Sequence, residues 1–467
     1  MEAIEYARAN RGRFLDELDE FLRLPSISTQ VAHQPDIQRT AAWVCEQLRA
    51  AGFPYAQVMP TAGHPVVYGE WPAARANAPT LLIYGHYDVQ PPDPLEEWHT
   101  PPFEPTVIGD DIFARGASDD KSQMYAQIKA VEALGRTAGR PPINIKCLFE
   151  GEEEIGSRNL EPFIVEHAGL FAADLALISD THILGPDMPS IVYALRGIAY
   201  IEVEVNGPNH DLHSGTYGGA VNNPINVLCR LIARLQDDQG RILIPGFYDR
   251  VRELDAEERL ELAKIPFDYQ AWLAQAGVEY DWGERAYTIV ERTTARPTLD
   301  VNGIWGGYTQ PGAKTVLPAK ALAKISMRLV PDQHPNEIIR LTEEYLHQIA
   351  PPSVKVEVRG LHTGEGAIVR RDSPAMQAAF RAYAESFGRP PIWVREGGSL
   401  PVVASFQRAL GIETVLMGFG LPDDRLHAPN EKFHLPNLYR GIEALIWFLN
   451  LLGNAETPIH GSAPDAR

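Results

Sequence analysis

Four short apolar runs in this chain each stop at side chains able to hold a metal, and that repetition narrows the fold more than any other feature. Thr80 to Tyr84 has no helical period, Gly85 breaks it, and His86 and Asp88 follow. In an extended segment alternate side chains share a face, so His86 and Asp88 point the same way at the end of a buried strand. An imidazole with a carboxylate two residues on is a common way to hold a metal ligand in one tautomer, and the pair alone is a weak signal that the other three runs strengthen. Ile143 to Phe149 runs into Glu150-Gly151-Glu152-Glu153-Glu154, and Leu175 to Ser179 stops at Asp180. Thr414 to Met417 leads through a Gly/Pro/Asp loop to His427. Ligands of open parallel α/β sheets bind in the crevice outside the carboxyl ends of the strands. Convergence there would gather His86, Glu153 or Glu154, Asp180 and His427. Asp119 arrives by another route, ahead of Lys121 to Gly135, where Met124, Ile128, Val131 and Leu134 fall at helical spacing. A carboxylate at a helix start is favoured by the macrodipole.

The texture changes after Asp180. Arg196 to Val205 and Ala321 to Val330 alternate as half-buried strands do. Helices over Ile225 to Leu235 and Glu337 to Ile349, then a strand Val354 to Val358, complete an α+β pattern. Ligand candidates flank it on both sides. The expected fold is therefore α/β, a mixed, mostly parallel sheet flanked by helices, in two parts (1–195 and 367–467). An α+β lid or dimerisation domain (196–366) is inserted between them. One helix is expected over 3–23, a second from Ile37 to Ala51 with Gly52 as its stop, and others over Pro374 to Phe387 and Leu438 to Leu452. Ile392 to Val394 runs into Arg395-Glu396-Gly397-Gly398-Ser399, a strand-to-helix junction whose N–H groups suit a carboxylate.

With 467 residues, 45% hydrophobic, the chain can bury a core in more than one domain. Its net charge of −19, with no basic tract, argues against nucleic acid or an anionic membrane as partner. Three scattered cysteines without a C-x-x-C, and a start that lacks a signal-peptide pattern, lead to the expectation of a cytoplasmic protein.

Taken together, Gly85-His86-Tyr87-Asp88-Val89, Arg115-Gly116-Ala117-Ser118-Asp119-Asp120-Lys121, Glu150 to Ser157, Ile178-Ser179-Asp180 and the late His427 resemble a known family in their order. It is the co-catalytic dinuclear zinc peptidases, which include cytosolic nonspecific dipeptidase, carnosinase, acetylornithine deacetylase and succinyl-diaminopimelate desuccinylase. The resemblance implies two zinc ions per subunit, with manganese or cobalt as substitutes. His86 and Asp180 would hold one, Glu154 and His427 the other, and Asp119 would bridge them. Glu153 would be the general base and Asp88 would orient His86. Three adjacent acids leave the register open to a slip, and Ile155-Gly156-Ser157 anchors it. Ser122 replaces the glycine that the family pattern has after the lysine.

Asn209 to Gly215 resembles the dipeptidase branch, which implies a homodimer in which His213 reaches the other subunit's site and stabilises the oxyanion. By the same resemblance Arg328 would clamp the terminal carboxylate of a small-peptide substrate, and Thr315, His362 and Ser399 match substrate-binding positions. Glu396 could meet a free amino group. Hydrolysis of dipeptides is the resulting expectation. The alternatives are an N-acyl amino acid amidohydrolase, a non-catalytic scaffold with this fold, and a two-metal phosphoesterase, for which no phosphate loop is evident.

Overall fold

The computed structural model describes residues 1–398 and 400–455, so Ser399 and the tail that holds His460 lie outside the described residues. The four ligand-bearing runs form neighbouring parallel strands: β1 (Thr80–His86), β2 (Asn144–Glu150), β3 (Leu175–Ile178) and β4 (Glu413–Leu416). Their order across the sheet is β2, β1, β3, β4, all parallel. Each is apolar and largely buried, as strands covered on both faces must be. The nine-stranded sheet grows outward by antiparallel additions. Val66–Trp71 and then Tyr55–Met59 add beside β2, and Ser190–Leu195 adds beside β4.

Helix Ser122–Ala138 lies at the heart of the packing, against Glu2–Ala9, Gln34–Ala51 and Leu435–Gly453. Helix Pro374–Phe387 packs on the last of these. On a helix this buried most polar side chains need hydrogen-bond partners. Gln127 donates to the Tyr84 carbonyl (3.2 Å) and the Ser179 hydroxyl (3.0 Å), and Lys129 pairs with Glu17 (2.5 Å) and Glu132 (2.9 Å).

The single helix expected over 3–23 is two, Glu2–Ala9 and Arg11–Leu22, broken at Asn10. The Asn10 side chain donates to the Tyr6 carbonyl (2.8 Å), the local bond by which asparagine competes with a continuing helix. The strand expected over Val354 to Val358 runs on to Gly364.

The chain divides into two units. The first comprises Met1–Tyr193, Val369–Val394 and Ser405–Arg467; the second comprises Ala194–Ile368 and Arg395–Ala404. In the second, a four-stranded antiparallel sheet has Lys320–Leu329 and Gly197–Asn206 at its centre, Thr298–Gly306 and Lys355–Gly364 at its edges. Ala199, Ile201, Val203 and Val205 alternate onto one face with Ala321 to Leu329, and helices Pro224–Ile232 and Pro335–Ile349 cover that face. Among the described residues no helix is long and apolar enough to cross a membrane.

Candidate metal centre

The sheet sets the geometry, since four parallel strands deliver four chain segments to one edge. His86 is the last residue of β1 and fully buried. Gly85 before it has no room for a side chain, because a Cβ there would stand 2.7 Å from Met124 and 2.8 Å from the Asp120 carboxylate. His86 Nδ1 lies 3.1 Å from the Asp88 carbonyl and 3.5 Å from its carboxylate. A donor bond from Nδ1 leaves Nε2 directed at Asp119 Oδ1 (3.0 Å) and Asp180 Oδ2 (3.8 Å).

Asp119 sits in an irregular turn, Ala117–Lys121, where its own backbone leaves helical conformation (φ −117°, ψ 92°). The preceding Gly116 has φ 79°, and a side chain there would collide with Val89 at 2.5 Å, so glycine is required. Asp119 faces both ways. Its Oδ1 meets His86, and its Oδ2 lies 2.9 Å from His427 Nε2. His427 Nε2 is also 3.2 Å from Glu154 Oε2.

Two overlapping groups result, His86–Asp119–Asp180 and Asp119–Glu154–His427. Each offers three ligand atoms within 4.8 Å of one another, and Asp119 belongs to both.

The three consecutive acids separate by their partners. Glu152 is buried and accepts from the His64 N–H (2.9 Å) and Asn159 Nδ2 (2.9 Å). Glu154 faces His427 and takes a bond from Gln90 Nε2 (2.8 Å). Glu153, half-buried, belongs to neither metal group. Both acids are held through their main chain, because the Asp88 carboxylate accepts the N–H of Glu153 (3.2 Å) and of Glu154 (3.1 Å). Asp88 therefore fixes the turn of the acids as well as touching His86. Gln90 escaped the sequence reading, and its position two residues past Asp88 on the same extended run was the available signal.

The electrostatics test whether a metal fits. Burial, then the negative Asp119, pushes the Asp180 carboxyl up to about 7. Burial raises Glu153 and Glu154 as well, with neighbouring carboxylates adding to it. Asp119 feels the same burial, but His427 and His86 hold it well below the usual carboxylate range. His427, bonded to Asp119 and Glu154, rises to about 10. Such a crowd of inward-facing carboxylates around two imidazoles is a cation site by its donor chemistry, since divalent ions satisfy every one of these groups as anions and neutral imidazoles.

His213, Thr315, Arg328, His362 and Glu396 all lie in the second unit. His213 is exposed and pairs with Val316 in a two-stranded ladder, with Thr315 beside it. Its Nδ1 accepts the Gly215 N–H at 3.1 Å, which leaves Nε2 as the ring's donor atom. Arg328 and His362 are on the sheet face away from the two helices, Arg328 opposite Thr298 and Ile198, His362 opposite Tyr200. Glu396 is half-buried at the end of strand Ile392–Glu396.

The chain is similar to known peptidases along most of its length. The model of peptidase family M20/M25/M40 matches residues 82–450. A Cys-Gly metallodipeptidase of Schizosaccharomyces pombe is 33% identical over 95% of this chain and 96% of its own. The human Beta-Ala-His dipeptidase is 31% identical over 96% of this chain and 91% of its own. Among solved structures, an M20 metallo-carboxypeptidase from Sulfolobus solfataricus superposes with a TM-score of 0.83 at 35% identity, covering 94% of this chain and 99% of that one.

Proposed function

The chain belongs to peptidase family M20/M25/M40, and from that premise we propose that it is a two-metal dipeptidase with Glu153 as its general base. The observation that carries this reading is Asp119 shared between two ligand groups at the carboxyl ends of parallel strands. His86 and Asp180 would hold one ion, Glu154 and His427 the other. Bound there, zinc or another divalent ion of similar preference lowers the pKa of a water and polarises the scissile carbonyl. Glu153 takes the proton of the attacking water and returns it to the leaving amine. Support for this assignment is that its two neighbours are engaged elsewhere, Glu152 by Asn159 and Glu154 by His427.

The second unit is assigned as a lid and dimerisation domain. His213 donates its Nε2–H to the developing oxyanion of the partner subunit's site. Arg328 clamps the free C-terminal carboxylate, aided by Thr315, His362 and Ser399, and Glu396 receives the free amino group. Three cysteines, none in a disulfide, suit a reducing cytoplasmic setting.

The Sulfolobus relative favours a second reading, removal of single C-terminal residues from longer peptides. A panel of a free dipeptide, its N-acetyl derivative, a tetrapeptide and an N-acyl amino acid separates them. The free dipeptide should show the highest kcat/KM. N-acetylation should lower it about tenfold or more, the worth of one bond to a charged group. Equal turnover of the tetrapeptide would establish the carboxypeptidase reading instead, and turnover of the N-acyl amino acid alone would overturn the dipeptide substrate.

A further inference from the structure

His427 stands on the least regular segment of the metal centre. Between β4 and strand Lys432–His434 the chain forms neither helix nor strand. Three non-glycine residues there have positive φ, Arg425 (58°), His427 (58°) and Asn430 (64°). Such conformations persist only when surrounding bonds over-determine them.

The bonds converge on Glu431, which is fully buried. Its Oε1 accepts the N–H groups of Ser118 (2.9 Å) and Asp119 (3.1 Å). Its Oε2 accepts the Gly116 N–H (2.8 Å) and Arg115 Nη1 (2.7 Å). Arg115 is also buried, and its Nη2 reaches back to the Ala428 carbonyl (3.3 Å), inside the His427 loop. The Glu431 carbonyl accepts the Ala114 N–H (3.1 Å). A second tie runs parallel, Ser118 Oγ to Asp424 Oδ2 (2.7 Å). Beyond the turn, Lys121 Nζ donates to the carbonyls of Phe21 (3.1 Å) and Leu24 (2.6 Å).

We infer that Glu431 is a positioning residue of the metal centre, locking the turn that presents Asp119 onto the loop that presents His427. The inference rests on the two-metal reading. With one carboxylate gripping both segments, the bridging ligand and the most exposed ligand move as one piece, so both metals depend on it. A main-chain N–H of Asp119 bonded to Glu431 also fixes where the Asp119 side chain leaves the backbone.

Glu431→Gln tests this. The amide keeps the volume but sets an NH2 donor against either Arg115 and Gly116 or Ser118 and Asp119, and it strands a buried guanidinium. Zinc titrated into metal-stripped protein against a chromophoric chelator should bind roughly 10- to 100-fold more weakly than to the parent chain. Glu132→Gln is the control, because Glu132 on helix Ser122–Ala138 is comparably buried and bonded, to Tyr6 (2.9 Å), Lys129 (2.9 Å) and Arg13. It should lower the melting temperature of the metal-free protein and leave zinc affinity within twofold. Glu431→Asp, which keeps the charge but is one methylene too short to hold all four donors at once, should weaken zinc about fivefold and decides the matter if Glu431→Gln does not fold. Zinc affinity within twofold of the parent in Glu431→Gln, or in Glu431→Asp where that variant decides, would overturn the inference. A parent chain that fails to take up two zinc ions would instead remove the two-metal reading beneath it.

Discussion

Glu153→Gln is expected to lower kcat on a free dipeptide by about 10² to 10⁴, the usual contribution of a positioned proton-transfer group, with metal content unchanged. Glutamine has the same shape and cannot take a proton at neutral pH. The Asp88 carboxylate grips residues 153 and 154 through their main-chain N–H groups, so the turn should survive the substitution. Neither metal group includes Glu153, so both ions should stay. Elemental analysis beside steady-state kinetics checks both halves. A variant with two metals and kcat within threefold of the parent would remove Glu153 as base, and loss of metal would mean that the register of the acids is shifted.

His213→Ala is expected to reduce kcat by about 10² to 10³, as removal of one oxyanion donor does, while metal affinity holds. The more telling result comes from co-expression with Glu153→Gln. In a two-fold homodimer with sites completed in trans, a mixed dimer has one site with both Glu153 and the partner's His213 intact. Random assortment makes half of the dimers mixed, so activity should recover to about a quarter of the parent level although each variant alone is nearly inactive. If His213 acts within its own chain, or not at all, the mixture stays at the mean of the two variants.

Much of this centre was legible because its ligands obey a simple rule. Short apolar runs too brief for helices must be buried strands, and in a parallel sheet their carboxyl ends share one edge. His86, Asp180 and His427 could be placed that way, as could the acidic cluster after Phe149. Asp119 was visible as an acid at a helix start, but the irregular turn that aims it at both histidines has no period to detect. The break at Asn10 was hidden because the apolar spacing of Phe14, Leu18 and Phe21 runs on in phase, and one side-chain bond decides it. Glu431 was invisible for a different reason. A carboxylate buried by main-chain donors depends on the path of a distant loop, and nothing in the local sequence announces that path. The antiparallel strands at the sheet margins were hard to place for a similar reason, since Tyr55–Met59 and Val66–Trp71 carry no mark of which neighbour they choose.

In the proposed mechanism two divalent ions are held through a shared Asp119, and with them this chain hydrolyses dipeptides. The most direct measurement is turnover of a free dipeptide by chelator-stripped protein as zinc or manganese is returned, with bound metal counted at each step. The expected result is negligible turnover without metal, recovery that reaches its plateau near two ions per chain, and amino acids as the only products. Undiminished turnover by fully stripped protein, or two bound ions with no hydrolysis of any dipeptide, would contradict it.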